Sequence, residues 1–426
     1  MVSRQIFRRP MTWVILGAAI IMAVLMSLGY LGAFLSPESH THHAPFVIVN
    51  EDQGATIGGQ QANLGDQVLA AITAPNPALG DKVDWIVLPT REDALSRLHD
   101  NKAYAAIVIP ATYSNEIAAL MQPGTTPPAA ASIDVLLNSA AGAYPTNLAK
   151  QVTTSAVTQV SASVHGQLVK GLGGETAQVP LALAPVVADP VVANTIDAQP
   201  TGSHTAGSNS PFYYALLLML AGFVGMDIIY LGLEMVIGRS TVSPRLERIR
   251  GRVVALGPLQ AWSTRVILSV ILAIAAGILQ AWVAIGWLGM ATDEIAPLIG
   301  FGMLAIFVSA IFTLFFLTAF GTPGLLIAII IQTFIGAPAA RGIFPKEMLP
   351  TFYQWAGNLV PLRFIADGVR AIMFYDANGD AGLTQGVIAL IVMAILGLIL
   401  SGLIAWWQDR RYGVRTVDIP ATRPVA

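Results

Sequence analysis

The stretch Ile295–Ala340, IAPLIGFGMLAIFVSAIFTLFFLTAFGTPGLLIAIIIQTFIGAPAA, decides the fold class. It runs for 46 residues without an Asp, Glu, Lys or Arg. A helix needs about 20 mostly apolar residues to cross the hydrocarbon core of a bilayer, so this run is long enough for two passes. The turn Gly321-Thr322-Pro323-Gly324 divides it. The second half is the shorter one: its apolar segment extends from Leu325 to Pro338 and is interrupted by Gly336 and Pro338. Short spans broken by Gly or Pro point to transport sites.

Working outward, Val266–Thr292 and Ala381–Gln408 are also uncharged, and Pro211–Ile237 is apolar apart from Asp227 and Glu234. Met11–Leu35 is a further uncharged run of 25 residues. It is too long and unbroken for a signal-peptide core, and no small-residue cleavage site follows. The sequence therefore predicts a mainly α-helical polytopic membrane protein with six transmembrane helices. Residues 1–35 hold a cytoplasmic segment and the first helix, 36–210 form a polar domain, 211–408 carry five helices, and 409–426 are a tail. The composition agrees: of 426 residues 54% are hydrophobic and only 11% charged, with mean hydropathy +0.64. Soluble domains are near a quarter charged, so a soluble enzyme is excluded. Cysteine is absent, which removes disulfides, thiolate catalysis and Cys-based metal sites. A net charge of -2 gives no basic field for nucleic acid.

Lys and Arg in short flanks set orientation. The N-terminus carries Arg4, Arg8 and Arg9, and the tail carries Arg410, Arg411, Arg415 and Arg423. The loop after the second span carries Arg239, Arg245, Arg248, Arg250 and Arg252 against Glu247, whereas the loop Ala291–Ala296 has Asp293 and Glu294 and no base. Both termini are expected inside and the domain 36–210 outside a bacterial cell membrane. That domain has 14 acids and 6 bases (14 − 6, net −8) and all six histidines.

Within it, Pro45–Asn50, Val83–Leu88, Tyr104–Ile109 and Ile133–Leu137 read as strands. Leu64–Ile72, Arg91–Asn101 and Ser114–Met121 read as helices. The alternation predicts a small α/β layer. Thr146–Leu172 reads as a long helix, and Gly173–Ser210 as a Pro/Gly/Ser-rich strap returning to the membrane without periodicity.

These residues carry a resemblance. VIVNEDQGA, NLGDQV, AYAAIVIPATYSNEIAAL, a strand ending in Asn138 and the long helix resemble, in that order, the exterior region of the phage infection protein (YhgE/Pip) family. SPFYYALLLMLAGFVG is similar to that family's re-entry into the membrane, and GIFPKEMLP…VPLRFIADGVRAIMFY resembles the broader ABC-2 type permease pattern. The long members' coiled-coil insertion is missing. The resemblance implies a dimeric permease with a separate ABC ATPase, and two outer-leaflet amphipathic elements at 343–375.

Several residues stand out beside plainer readings. Asp227 and Glu234 lie seven apart, on one helical face. Intramembrane acids are costly; the plain reading pairs both with Arg265, the sharper one gives them a substrate or proton role. The basic loop of Arg239, Arg245, Arg248, Arg250 and Arg252 serves topology and anionic lipid, or docks an ATPase. Pro338, Pro345, Pro350, Arg363, Asp367 and Arg370 are outer-gate candidates; the last three form one polar stripe able to neutralise itself, and the plainer role is a lid on the bundle. His40, His42 and His43 belong to a solvated linker rather than a metal site, and Glu51-Asp52 cap a turn rather than form a catalytic pair. No Walker pattern GxxxxGK[ST] occurs, so no cofactor and no catalytic residue is expected in this chain.

The leading expectation is an exporter of an amphiphilic or lipid-like substrate, working as a homodimer or heterodimer in the lipid bilayer. The alternative is a cell-surface anchor or secretion-apparatus scaffold acting through the exterior domain. A third is a proton-driven transporter of RND-like half topology.

Overall fold

The computed structural model describes residues 20, 24, 40–57, 60–75, 80–121, 129–171, 184–239 and 253–413. The run Met11–Leu35 lies almost wholly outside them. The chain divides into two units: Pro37–Asn209 with Ile343–Leu349, and Ser210–Gly342 with Pro350–Ala426.

The first is an α/β unit. Its strands are β1 (Ala44–Asn50), the short hairpin β2 (Ala55–Ile57) and β3 (Gln60–Ala62), β4 (Val83–Leu88), β5 (Ala105–Ile109), β6 (Ala131–Leu137) and β7 (Val191–Asp197). Five of them form one sheet in the order β4-β1-β5-β6-β7. β1 pairs in parallel with β4 and β5, β5 is antiparallel to β6, and β6 is parallel to β7. The helices are α1 (Leu64–Thr73), α2 (Arg91–His99), α3 (Tyr113–Met121), α4 (Ala143–Gly171) and α5 (Ala184–Ala188).

Side chains alternate across a strand, and β1 shows the consequence of being covered on both faces. Phe46 and Ile48 pack with Val68 and Ile72 of α1, Ile117 of α3 and Val152 and Val160 of α4. Val47 and Val49 pack with Ala94 and Leu98 of α2 on the opposite face. A strand buried on both faces reads as a continuous apolar run, as PFVIV does. The segment 173–210, which reads as a strap without periodicity, contains the strand β7. Only its first residue is buried. An edge strand needs a backbone ladder, and this one displays no apolar alternation to betray it.

The motif that carries the resemblance is a structural hub. Asp52 is buried and its carboxylate accepts hydrogen bonds from Ser114 N at 3.0 Å, Ser114 Oγ at 2.5 Å and Gly65 N at 3.0 Å. It thus closes the N-terminal turns of α1 and α3, where free N–H groups favour an anion. Asn63 caps α1 through Asp66 N and holds Asp52 O at 2.9 Å. Gly65 is required: a Cβ there would sit 2.4 Å from Asn50 Oδ1.

Residues 343–349, expected among outer-leaflet membrane elements, group instead with the α/β unit. His42 N donates to Glu347 O at 3.0 Å, Tyr104 Oη donates to Glu347 Oε2 at 2.5 Å, and the Tyr144 and Phe344 rings lie 4.2 Å apart.

The second unit is helical: α6 (Ser210–Val236), α7 (Pro258–Ala281) continued by a π turn Trp282–Trp287, α8 (Ile295–Phe320), α9 (Pro323–Ala339), α10 (Thr351–Ala356), α11 (Pro361–Phe374) and α12 (Thr384–Tyr412). Among the described residues four helices are long and apolar enough to cross a membrane: Ser210–Val236, Pro258–Trp287, Ile295–Phe320 and Gly379–Tyr412. α9 spans about 25 Å at 1.5 Å per residue, short of a full crossing. The described residues thus hold four full-length spans and one short one, where the sequence predicted five. α8 is apolar on every side, so no face is reserved for solvent. It becomes the central helix, packed against α6, α7, α11 and α12. Gly222 lets α6 close on it, since a Cβ there would lie 2.2 Å from Ile306 O.

Candidate transport site

Four groups of polar side chains among the described residues of the helical unit bear on the site. At the end of α6, Glu234 Oε1 accepts from Arg265 Nη2 at 2.5 Å and lies 3.8 Å from Arg239 Nη1. The Arg265 guanidinium stacks 4.0 Å from the Tyr230 ring centre, and Arg239 Nη2 donates to Leu256 O at 3.0 Å. One carboxylate thus holds two guanidiniums and ties the two ends of the loop between α6 and α7. Arg245, Arg248, Arg250 and Arg252 of that loop lie outside the described residues.

Asp227 corrects the expected pairing. Only Glu234 meets Arg265; Asp227 Oδ1 is buried with no hydrogen-bond partner among the described residues. Two turns of helix separate the acids, and the guanidinium reaches just one of them.

A third group escaped the sequence reading because it carries no charge. Ser309 and Thr313 of α8 are wholly buried, and Gln332 of α9 donates to Thr313 Oγ1 at 2.8 Å. Gln332 Oε1 and Ser309 Oγ have no partner among the described residues. Gln332 lies in the π turn Ile330–Ile335, just before Gly336. Such turns recur at functional sites. The lone Gln inside an apolar, Gly/Pro-broken span was the available signal.

The fourth group is on α11. Arg363 Nε lies 3.7 Å from Asp367 Oδ2, and Arg363 Nη1 donates to Asn358 Oδ1. Arg370 does not turn to Asp367: its Nη2 donates to Gly342 O at 2.9 Å. Arg341 and Arg370 also act on Asp367 electrostatically, and Arg341 acts on Arg363. Arg363 and Arg370 are both buried, and neither Nε makes a hydrogen bond among the described residues. The stripe is therefore only partly self-neutralising. Pro338 is buried at the end of α9, and Pro350 stands at the start of α10. Pro345 falls in the α/β unit with residues 343–349.

In the α/β unit, His42 Nδ1 lies 2.8 Å from Asp81 Oδ2 and His43 Nδ1 3.0 Å from Asp84 Oδ1. The Asp84 contact raises the His43 pKa above its ordinary value. Glu51 Oε1 accepts from Arg91 N at 2.8 Å, at the start of α2.

A family model described as ABC-2 family transporter protein matches residues 9–403. The uncharacterized protein YhgE of Bacillus subtilis (strain 168) is 38% identical over 88 residues, a stretch covering 20% of this chain and 11% of that relative. The matched stretch is thus a small part of a longer protein.

Proposed function

The chain belongs to the ABC-2 family of transporter proteins, and from that membership we propose that it is the membrane permease of an exporter whose ATPase is a separate subunit. The observation that carries the reading is the family match across residues 9–403 in a sequence with no Walker pattern. A phosphate-binding loop needs that Gly-rich turn and its Lys, so ATP would be hydrolysed elsewhere.

The permease works as a dimer and moves an amphiphile, because the helix bundle is apolar with few polar groups placed along it. Arginines flanking the spans put both termini and the α6–α7 loop inside and the α/β unit outside. The loop Arg239–Arg252 receives the ATPase. Asp227 and the Ser309–Thr313–Gln332 group, which keep unspent hydrogen-bonding atoms, touch the substrate or its counter-ion. The elements carrying Pro338, Pro350, Arg363, Asp367 and Arg370 close the outer end.

The test is purification of the tagged chain in mild detergent, scored for ATP hydrolysis and for a co-purifying ATPase. The chain alone should hydrolyse nothing and the complex should hydrolyse ATP. Arg245→Glu with Arg248→Glu should release the ATPase, while reporters at Gly124 and Arg250 still read outside and inside. Export that persists with no ATPase bound would sink this reading in favour of proton-driven transport. Absence of both export and ATPase would favour a surface scaffold.

A further inference from the structure

The α/β unit contains a cavity of about 650 Å³ between α1, the start of β4 and one face of α4. That volume lies within the range of small-molecule sites. Its most regular wall is α4. Leu148, Val152, Ala156 and Val160 recur every four residues and form an apolar stripe along the cavity floor, Val152 and Val160 sunk into the core and Leu148 and Ala156 half-buried. Asn147, Gln151, Ser155, Gln159 and Ser163 recur at the same spacing beside it and line the same cavity. Residues four apart stack on one helix face, so two stripes run side by side. From Asn147 to Ser163 they extend about 24 Å at 1.5 Å per residue.

The second stripe is unusual for a solvated helix face, which ordinarily carries charges. Here five successive positions are amides or hydroxyls. All five are exposed, and none makes a side-chain hydrogen bond with a described residue. Trp85 and Tyr144 add aromatic surface, the first held 5.5 Å from Phe46 and the second 4.2 Å from Phe344. Lys82 is the one charged residue among the described residues of the lining.

We propose that this cavity binds a glycolipid: an alkyl chain along the apolar stripe and an uncharged, hydroxyl-rich head on the amide and hydroxyl stripe. An anionic head asks for guanidinium forks or several cations, and the described residues of the lining supply a single ammonium. A sugar asks for neutral donors and acceptors in series and aromatic faces for its C–H surface, and both are present. An elongated ligand fits because the two stripes run in parallel along the helix. The proposal deepens the permease reading by naming the substrate class, and it rests on that reading only in taking the bound ligand to be the cargo.

The test uses the full chain in phosphatidylcholine nanodiscs with a dodecyl glucoside bearing a diazirine on its alkyl chain. After photolysis, labelled peptides are mapped. We expect label concentrated on the peptides containing Trp85 and residues 147–163. Excess dodecyl glucoside should compete it away, and equimolar dodecyl sulfate should not. Ser155→Trp, at an exposed position of the lining, should fill the cavity and cut this label at least tenfold with an unchanged melting curve. Gln151→Leu with Gln159→Leu should keep the label but abolish the preference for glucoside over sulfate. Label spread evenly over the helical unit, or undiminished by Ser155→Trp, overturns the site. Equal competition by dodecyl sulfate in the unaltered chain overturns the hydroxyl-rich head. Because no ATP is used, these outcomes are independent of whether an ATPase co-purifies: a labelled cavity without an ATPase sinks the permease reading alone.

Discussion

Arg265 Nη2 stands 2.5 Å from Glu234 Oε1, with its guanidinium over the Tyr230 ring and only 5% of the residue exposed. Seven residues earlier on the same helix, Asp227 has a buried carboxylate oxygen and no described partner. Two intramembrane acids of similar appearance in sequence are therefore in different physical situations, and they respond differently to substitution.

Glu234→Gln strands a buried guanidinium. Removing one partner of a buried ion pair costs about 3–5 kcal/mol, so the unfolding midpoint in detergent should fall well below that of the unaltered protein. Glu234→Gln with Arg265→Gln should recover most of the loss. A single mutant as stable as the parent would show that the pair holds nothing.

Asp227→Leu removes an oxygen that already lacks a partner. Deleting an unsatisfied buried group is neutral or stabilising, so the melting midpoint should stay or rise slightly. Lost export at full stability would assign Asp227 to the transport path. A fall of several degrees would instead reveal a structural partner for it.

In the α/β unit, Asp52→Asn keeps the shape but not the charge that three donors converge on. Hydrogen bonds to a charged group are worth about 1.5–3 kcal/mol each. We expect the unit to lose at least about 3 kcal/mol and the hairpin β2–β3 and helices α1 and α3 to exchange their amide protons first. Uniform exchange protection would contradict the hub.

His43 offers a titration. Its hydrogen bond to Asp84 raises its pKa above the ordinary 6.5. A raised histidine contributes most when protonated, so the contact is present below the unfolded value and lost as pH rises through the folded one. The His43 ring signal should titrate above 6.5 in the full chain, and Asp84→Asn should bring it back. An unshifted midpoint in the unaltered protein would remove the contact from solution.

How much of this was legible depends on what each feature displays. Ile295–Phe320 and Thr384–Tyr412 announce themselves because a lipid-compatible helix must be apolar over its whole length. β1 and β5 do so because strands covered on both faces are runs of Val, Ile and Ala. β7 stayed hidden because Val192–Asp197 is exposed on an edge and only the backbone needs to fit. Ile343–Leu349 reads as part of the membrane elements because Pro345 and Pro350 bound a short helix in a segment running on to Tyr353 and Trp355, which suit an interface; nothing in its own residues announces the Glu347–Tyr104 and Phe344–Tyr144 contacts. Among the site residues, charge drew attention to Asp227, Glu234 and Arg363, while Ser309, Thr313 and Gln332 passed as ordinary members of apolar spans. Spacing placed Asp227 and Glu234 on one face, but a helix face does not say which residue on the next helix reaches it.

The central claim, that the chain is an ATP-driven permease for an amphiphile, is tested most directly in inside-out membrane vesicles from cells with and without the chain. The measurement is accumulation of a short-chain fluorescent alkyl glycoside. An ATP-driven permease gives accumulation that requires ATP, survives collapse of the proton gradient and disappears in vesicles lacking the chain. Accumulation driven by an imposed proton gradient without ATP, or identical accumulation in vesicles lacking the chain, would contradict it.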